Sequence, residues 1–339
     1  MYDPQKPRIL VALGGRSHER PISIASGAAV ATALEKLGYP SGILDTGTGK
    51  LMQSPELKNI EQDPQKLSSS FSFPLIDIKR HFELVFICLH GRYGEDGGFQ
   101  ALMEEIGMPY TGSTPPSSAA GLNKKFSKII FETYGVPTPA FQIISKPNEK
   151  MRLKYPVVVK PVAQGSSLGV SICENESDYQ LGIKRALEFD GEAIVEPYTE
   201  GREITVAILE NKNGTVDALP IVEIKPATRF FDFNAKYDPK TIEEVPAKNI
   251  DDRMQKQIVD TAIKAYKALD CRHLARVDMI IDKKNKLQVL EVNTLPGMTA
   301  NSLVPKAARA AGISFEELVD HLVKIALKQS AISKKTVLK

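Results

Sequence analysis

Apolar positions follow two rhythms along this chain. Residues 8–13 and 84–89 are short, mostly apolar runs, the mark of strands buried on both faces. Residues 25–37 and 99–106 instead repeat apolar positions every three or four residues, the period of an amphipathic helix. Gly38 stops the first helix, and Pro21 fits near its start, where a missing N–H costs little. Strand–helix alternation of this kind predicts a parallel α/β sheet. Further on, the pattern predicts a helix over 123–134, strands over 157–160, 170–173 and 194–196, and a helix over 177–189. From Gly201 hairpins take over. Strands at 204–209 and 218–224 flank Asn213-Gly214, a strong turn signal. A second hairpin, 275–281 with 287–293, turns through 283–286. Helices are expected at 251–269 and 315–327. No internal repeat occurs at a period of about 20 to 50 residues.

Two stretches fit neither rhythm. Residues 62–74 are polar and hold Ser68, Ser69 and Ser70, which reads as a surface excursion. Residues 111–118, with Gly112, Pro115 and Pro116, make the best candidate for a first domain boundary.

Composition narrows the class. The 339 residues suggest about two domains, and 42% hydrophobic with 25% charged residues is ordinary for a globular protein. The net charge of +3 is spread along the chain. The one basic cluster, Lys334, Lys335 and Lys339, sits in a polar tail that reads as a frayed end. Neither feature gives the concentrated basic patch of a nucleic-acid binder. Cys88, Cys173 and Cys271 form no CxxC pair, which argues against a disulfide framework and for a reducing compartment. No apolar run of about 18 residues predicts a membrane span, and residues 1–7 carry no apolar signal region. The expectation is a soluble cytoplasmic protein.

The second hairpin carries the most specific chemistry. With 283–286 as a four-residue loop, Asp282 opposes Leu287 and Asp278 falls opposite Glu291. Side chains alternate faces along a strand, so Arg276, Asp278, Glu291 and Asn293 share one face. Facing carboxylates repel. Either Arg276 and its neighbours make a salt-bridged surface ladder, or an oxygen-only set with Asn293 holds Mg²⁺. The loop after Asn293, with Pro296 and Gly297, would bring backbone N–H groups to the same centre.

No Gly-x-x-x-x-Gly-Lys-Ser/Thr and no G-x-G-x-x-G after the first strand occurs, so neither a P-loop NTPase nor a Rossmann dehydrogenase is favoured. A different phosphate cradle remains. Lys160 ends a buried strand, and Gly165-Ser166-Ser167-Leu168-Gly169 offers small residues and backbone donors, though such loops are often plain turns. Glu196 ends another strand with Glu203 close behind, placed to accept from ribose hydroxyls.

At this point the chain resembles the ATP-grasp superfamily and, within it, the D-alanine–D-alanine ligases. The resemblance runs from about Arg8 to Leu327. It is carried by GGRSHERPIS, LHGRYGEDG, VVVKPVAQGSSLGV, FDFNAKY, and ARVDMIID with LEVNTLPGMTANSLVP, in the family's order. It implies an α/β (α+β) ATP-grasp fold in three parts. These are a parallel α/β substrate domain over 1–113, a small lid domain over 114–202, and an antiparallel-sheet catalytic domain over 203–339.

The resemblance also implies roles. Asp278, Glu291 and Asn293 would hold two Mg²⁺ or Mn²⁺. Lys124, Lys160, Glu196, Tyr198, Thr199, Glu203, Ile280 and Leu290 would contact ATP. Glu19 would hold the first substrate's ammonium beside His90. Ser166 and Tyr237 would close the loop over it, and Lys236 on a mobile loop would reach the terminal phosphate. Arg276 and the Gly297 N–H would serve the oxyanion, and Ser302 and Leu303 the second substrate's carboxylate. The activity implied is ligation of two D-alanines through an acyl phosphate, for peptidoglycan precursors, in a homodimer without nucleic-acid or membrane partners. D-Alanyl-D-lactate or D-alanyl-D-serine are the alternative products, and Tyr237 argues against the ester. Pro21 departs from the family, standing where an acid is common, which puts the charge at that helix start in doubt.

Overall fold

The computed structural model describes residues 5–225 and 241–337, with side chains through Gln329. Its first sheet holds β1 (Ile9–Leu13), β2 (Ser41–Asp45), β3 (Lys50–Met52) and β4 (Leu84–Ile87), ordered β3-β2-β1-β4. β1 runs parallel to both neighbours and β3 is antiparallel at the edge. β1 is buried at every position, as a central strand covered on both faces must be. Helix α1 (Arg20–Lys36) packs on it and begins earlier than its apolar period indicates. Pro21 in the first turn supplies a preset φ and gives up an N–H that would have no helical partner. Helices α2 (Leu75–His81) and α3 (Gly98–Glu105) complete this region.

Helices α4 (Pro115–Leu122) and α5 (Lys124–Thr133) lead into an antiparallel sheet. It is built from β5 (Gln142–Ile144), β6 (Val157–Pro161), β7 (Ser171–Cys173) and β8 (Ala193–Pro197), ordered β5-β8-β6-β7. Helix α6 (Glu176–Asp190) buries Tyr179, Ile183 and Ala186 against one face of it. The largest sheet holds β9 (Gly201–Glu210), β10 (Val216–Ala218), β11 (Val222–Lys225), β12 (Ile242–Glu244), β13 (Leu274–Asp282) and β14 (Leu287–Asn293). Its order is β12-β11-β9-β13-β14, with β10 also paired to β9. Helix α7 (Asp252–Ala268), capped by the Asp251 side chain, packs Ile258, Ala262 and Ala265 on it. Helices α8 (Leu303–Ala310) and α9 (Phe315–Val337) close the chain. One core joins the ends: Ile9, Val11 and Leu13 share a cluster with Leu318, Leu322 and Ile325 of α9.

Several expectations need correction. The strand expected over 218–224 is two, β10 and β11, because Pro220 between them has no N–H for the ladder. The stretch 111–118, read as a candidate domain boundary, holds the start of a helix that was not anticipated: Pro115 opens α4, with prolines in its first turn. α9 continues to Val337, so Lys334 and Lys335 are helical rather than frayed. Residues 62–74 are more than an excursion. Arg16 donates to the Ser68 carbonyl at 2.5 Å and lies over the Phe71 ring at 4.2 Å, while Phe73 stacks on Tyr93 at 6.0 Å. β2, β3, α2, β5 and α8 were not anticipated. Each is eight residues or shorter, too short for a period to declare itself.

Candidate active site

A cleft runs between the middle sheet and the large sheet. Lys124, Lys160, Glu196, Tyr198, Thr199, Glu203, Ile280 and Leu290 all line it, with Asp278 and Glu291 at one end. The fold therefore gathers the eight residues that the resemblance gives as ATP contacts, Lys236 at the terminal phosphate being outside the described residues. Lys160, the last residue but one of β6, meets Glu196 of β8 at 2.7 Å. Lys128, which sequence reasoning missed, meets the other oxygen of the same carboxylate at 2.6 Å. Lys128 lies one helical turn past Lys124 on α5 and is fully buried. That i, i+4 pair of lysines was the available signal.

The titration of this cluster follows from its geometry. Burial alone would raise the Glu196 carboxyl, but Lys160 and Lys128 outweigh it and hold the group down at about 2. Lys160 is opposed by burial, yet its contact with Glu196 raises it overall. Burial prevails at Lys128, which is lowered despite the same partner. The cluster is a fixed anchor with one excess positive charge (two lysines on one carboxylate), which suits a polyanion.

The hairpin forms the floor, and its register differs from the expected one in an instructive way. Asp278 does face Glu291, as do Arg276 and Asn293. At the turn, however, Ile281 rather than Asp282 opposes Leu287, so the pairing has slipped by one. A bulge beside Asp278 restores it, and Leu290 is the extra residue. Strict alternation would turn Leu290 away from Glu291. The bulge instead lets two consecutive residues, Leu290 and Glu291, line the same cleft.

Asp278 accepts two hydrogen bonds from Arg276, each 2.8 Å, and one from Thr205 at 2.6 Å. Glu291 lies 3.2 Å from Lys124. The Asn293 amide oxygen accepts from the Leu295 N–H at 2.9 Å. Among the described residues no group of three or more His, Cys, Asp or Glu side chains converges as a metal site. The hairpin offers two facing carboxylates and an amide oxygen. Such a hard, oxygen-only set fits a small divalent cation that keeps waters and phosphate oxygens as its other ligands.

A second chamber adjoins the first. Glu19, His90, Ser166, Arg276, Asn293, Gly297, Ser302 and Leu303 line it, and Lys124, Gln164 and Glu291 face both chambers. Glu19 caps α1 and its carboxylate accepts from the Ser166 hydroxyl. Ser166 and Ser167 both adopt left-handed backbone, with φ of 49° and 56°, an uncommon state for residues with a Cβ. Gly165 lets the loop come this close, since a Cβ there would lie 2.8 Å from the Glu19 carboxylate. His90 follows β4, its carbonyl accepting from Ser17 at 2.7 Å. Ser302 caps α8, and its hydroxyl accepts from the Thr299 N–H at 3.1 Å. Lys236 and Tyr237 lie outside the described residues.

Three further residues here escaped sequence reasoning. Glu95 is buried and accepts from the Gly91 N–H at 2.6 Å. Burial, and then the neighbouring Glu19 carboxylate, push it up to about 8. Glu243 of β12 reaches the same chamber. Arg20, fully buried, forms two bonds of 2.7 and 2.8 Å to Asp45 and fixes the turn that carries Glu19.

Two sheets clamping a lysine-lined cleft, with an acidic hairpin below and a small chamber alongside, define an ATP-dependent ligase of the grasping type. The chain belongs to the D-alanine–D-alanine ligase family. The model of that family's N-terminal part matches residues 8–113 and that of its C-terminal part residues 130–324. The D-alanine–D-alanine ligase of Carboxydothermus hydrogenoformans is 39% identical, covering 95% of this chain and 98% of the relative. That of Pelotomaculum thermopropionicum is 36% identical, over 97% and 99%. Among solved structures, the Bacillus anthracis D-alanine–D-alanine ligase complexed with ATP superposes with a TM-score of 0.78. It is 31% identical and covers 97% of this chain and all of its own. The Coxiella burnetii enzyme gives a TM-score of 0.80 at 25% identity, over 98% and 97%.

Proposed function

We propose that this chain uses ATP to join two D-alanines into D-alanyl-D-alanine through an acyl phosphate, for peptidoglycan precursor synthesis. The observation that carries the reading is the wall between the chambers. Lys124, Gln164 and Glu291 face both, so a phosphoryl group held on one side and an amino acid on the other would meet there.

In the first step a carboxylate oxygen of one D-alanine attacks the γ-phosphorus. The new O–P bond forms as the bond to the ADP oxygen breaks. Phosphoryl transfer asks the protein mainly to position groups and neutralise charge. Lys160 and Lys124 do so from the cleft, and the resemblance adds Lys236. Glu203 is placed for ribose, Tyr198, Thr199, Ile280 and Leu290 for the base, and Glu196 to hold the two lysines. Glu19 takes the substrate ammonium, with His90 beside it and Ser166 bonded to it; the resemblance adds Tyr237. In the second step the free amine of another D-alanine, seated at Ser302 and Leu303, attacks the acyl carbon. The C–N bond forms, phosphate leaves with the C–O electron pair, and the amine sheds a proton. Arg276 and the Gly297 N–H are the donors for the oxyanion, a role whose loss typically costs about 100- to 1000-fold in rate. Asp278, Glu291 and Asn293 would hold two Mg²⁺ or Mn²⁺, which when bound neutralise the phosphates.

This reading keeps the division into 1–113, 114–202 and 203–339. It also takes the chain as a cytoplasmic homodimer, which light scattering tests. Among the described residues no helix is long and apolar enough to cross a membrane. The decisive assay follows ADP release with D-alanine, L-alanine, D-lactate and D-serine in parallel, with product masses. ADP release that requires D-alanine and yields the D,D-dipeptide is the expected outcome. Glu291→Gln should lose Mg²⁺-dependent turnover by at least about 100-fold. Unchanged turnover would remove Glu291 from the metal set.

A further inference from the structure

One charged pair in the substrate chamber has no part in the chemistry above. Glu243 lines the chamber that also holds Ser302 and Leu303, and its carboxylate pairs with Lys306 of α8. Both side chains are only partly exposed, 16% for Glu243 and 30% for Lys306.

Each partner is poorly placed on its own. Lys306 sits in the first turn of α8, its N–H bonded to the Ser302 carbonyl. A cation there opposes the positive end of the helix dipole. Glu243 puts a carboxylate into a chamber whose second substrate also carries one, and like charges facing one chamber repel. Together they cancel. At this end of the chamber the pair carries no net charge; losing Lys306 leaves a net negative charge there and losing Glu243 a net positive one.

We propose that the Glu243–Lys306 ion pair is a specificity determinant that sets the charge of the acceptor end of the chamber and so admits a second substrate bearing a free carboxylate. This rests on the assignment of Ser302 and Leu303 to the second substrate. The two residues are positioning groups: they act on the acceptor through the field, and neither transfers a proton or a bond.

The test is a competition between two acceptors, D-alanine and D-alaninamide, at saturating ATP. The second lacks the carboxylate but keeps the amine. The readout is the ratio of dipeptide to dipeptide amide, taken with the KM for ATP and the melting temperature. Lys306→Met should shift the ratio toward the amide by about tenfold. Glu243→Gln should shift it toward D-alanine. The double variant E243Q/K306M should return the ratio to near the wild-type value, and Lys306→Arg should preserve it. Because the pair is partly exposed, raising salt from 0.05 to ~0.5 M should shrink both single-variant shifts.

A merely structural pair moves both singles in one direction, or lowers turnover and melting temperature with the ratio unchanged; either result overturns the proposal. If Lys306→Met does not fold, Glu243→Gln and the double variant still decide the sign. Failure of the wild type to make any dipeptide would instead overturn the ligase reading itself, which separates the two.

Discussion

Glu95 is the residue whose chemistry the site changes most. Its carboxyl is buried beside Glu19 and is pushed up to about 8, because burial and then that neighbour both disfavour the charge. The bond from the Gly91 N–H and the nearby Arg276 only partly offset this. A group whose folded pKa is raised costs no stability below the ordinary carboxylate range. The cost grows as pH rises from that range and is complete above about 8. Glu95→Gln should therefore match the wild type in urea at pH 5 and be the more stable at pH 9. A substrate ammonium entering beside Glu19 and Glu95 would favour the ionised form. Binding of D-alanine at pH 7 should then release a proton, seen as a binding heat that depends on the buffer's ionisation enthalpy. A heat independent of buffer would place Glu95 outside the ammonium site. The motif around His90 offered two acids, Glu95 and Asp96, and sequence alone did not say which turns inward. Asp96 turns to its own loop, accepting from Tyr93 and Gly98 N–H groups at 2.7 and 2.9 Å. Only the fold settles that choice; Lys160 was legible from its place at the end of a buried strand, whereas Glu19, ahead of the helix expected over 25–37, was reached only through the family resemblance.

Among the elements, the stretch 62–74 shows how a polar run can hide a structural part. Its serines dominate the pattern, but Phe71 and Phe73 do the packing. Phe73 meets Tyr93 and Phe99, and Phe71 meets Arg16. Arg16 belongs to the turn that carries Glu19, and Tyr93 to the loop that carries His90 and Glu95. Phe73→Ala should loosen both loops. It should cost about 2 kcal/mol for a half-buried ring and raise the KM for D-alanine more than that for ATP. A fall in melting temperature with both KM values unmoved would reduce the segment to mere packing. The hairpin was legible for a different reason. Its apolar and acidic alternation placed Asp278 opposite Glu291 correctly, although the turn was misjudged by one residue. A bulge leaves no mark in a two-residue period, so the slip and its repair were both invisible.

At the scale of the molecule, the parallel sheet and the large antiparallel sheet were legible because short buried apolar runs alternating with helical periods, and an Asn-Gly turn, announce them. Contacts between distant parts were not, since they depend on side chains far apart in sequence. His273 is the plainest case. It accepts from the Gly112 N–H at 3.0 Å and its other ring nitrogen lies 2.7 Å from Gln329 of α9. Burial, and then Arg272, drive it down to about 3, so it stays neutral and pins the end of the first region to the last helix. The wall shared by the two chambers belongs to this scale too, and it has a thermodynamic corollary. Lys124, Gln164 and Glu291 face both chambers, which the proposed function gives to nucleotide and amino acid. Any effect of occupancy on one side upon affinity at the other is reciprocal, and by linkage the factor is the same in both directions. A non-hydrolysable ATP analogue should tighten D-alanine by the same ratio as D-alanine tightens the analogue. Two titrations measure it, and whichever guest is seated first, it prepares the place of the other to an equal degree.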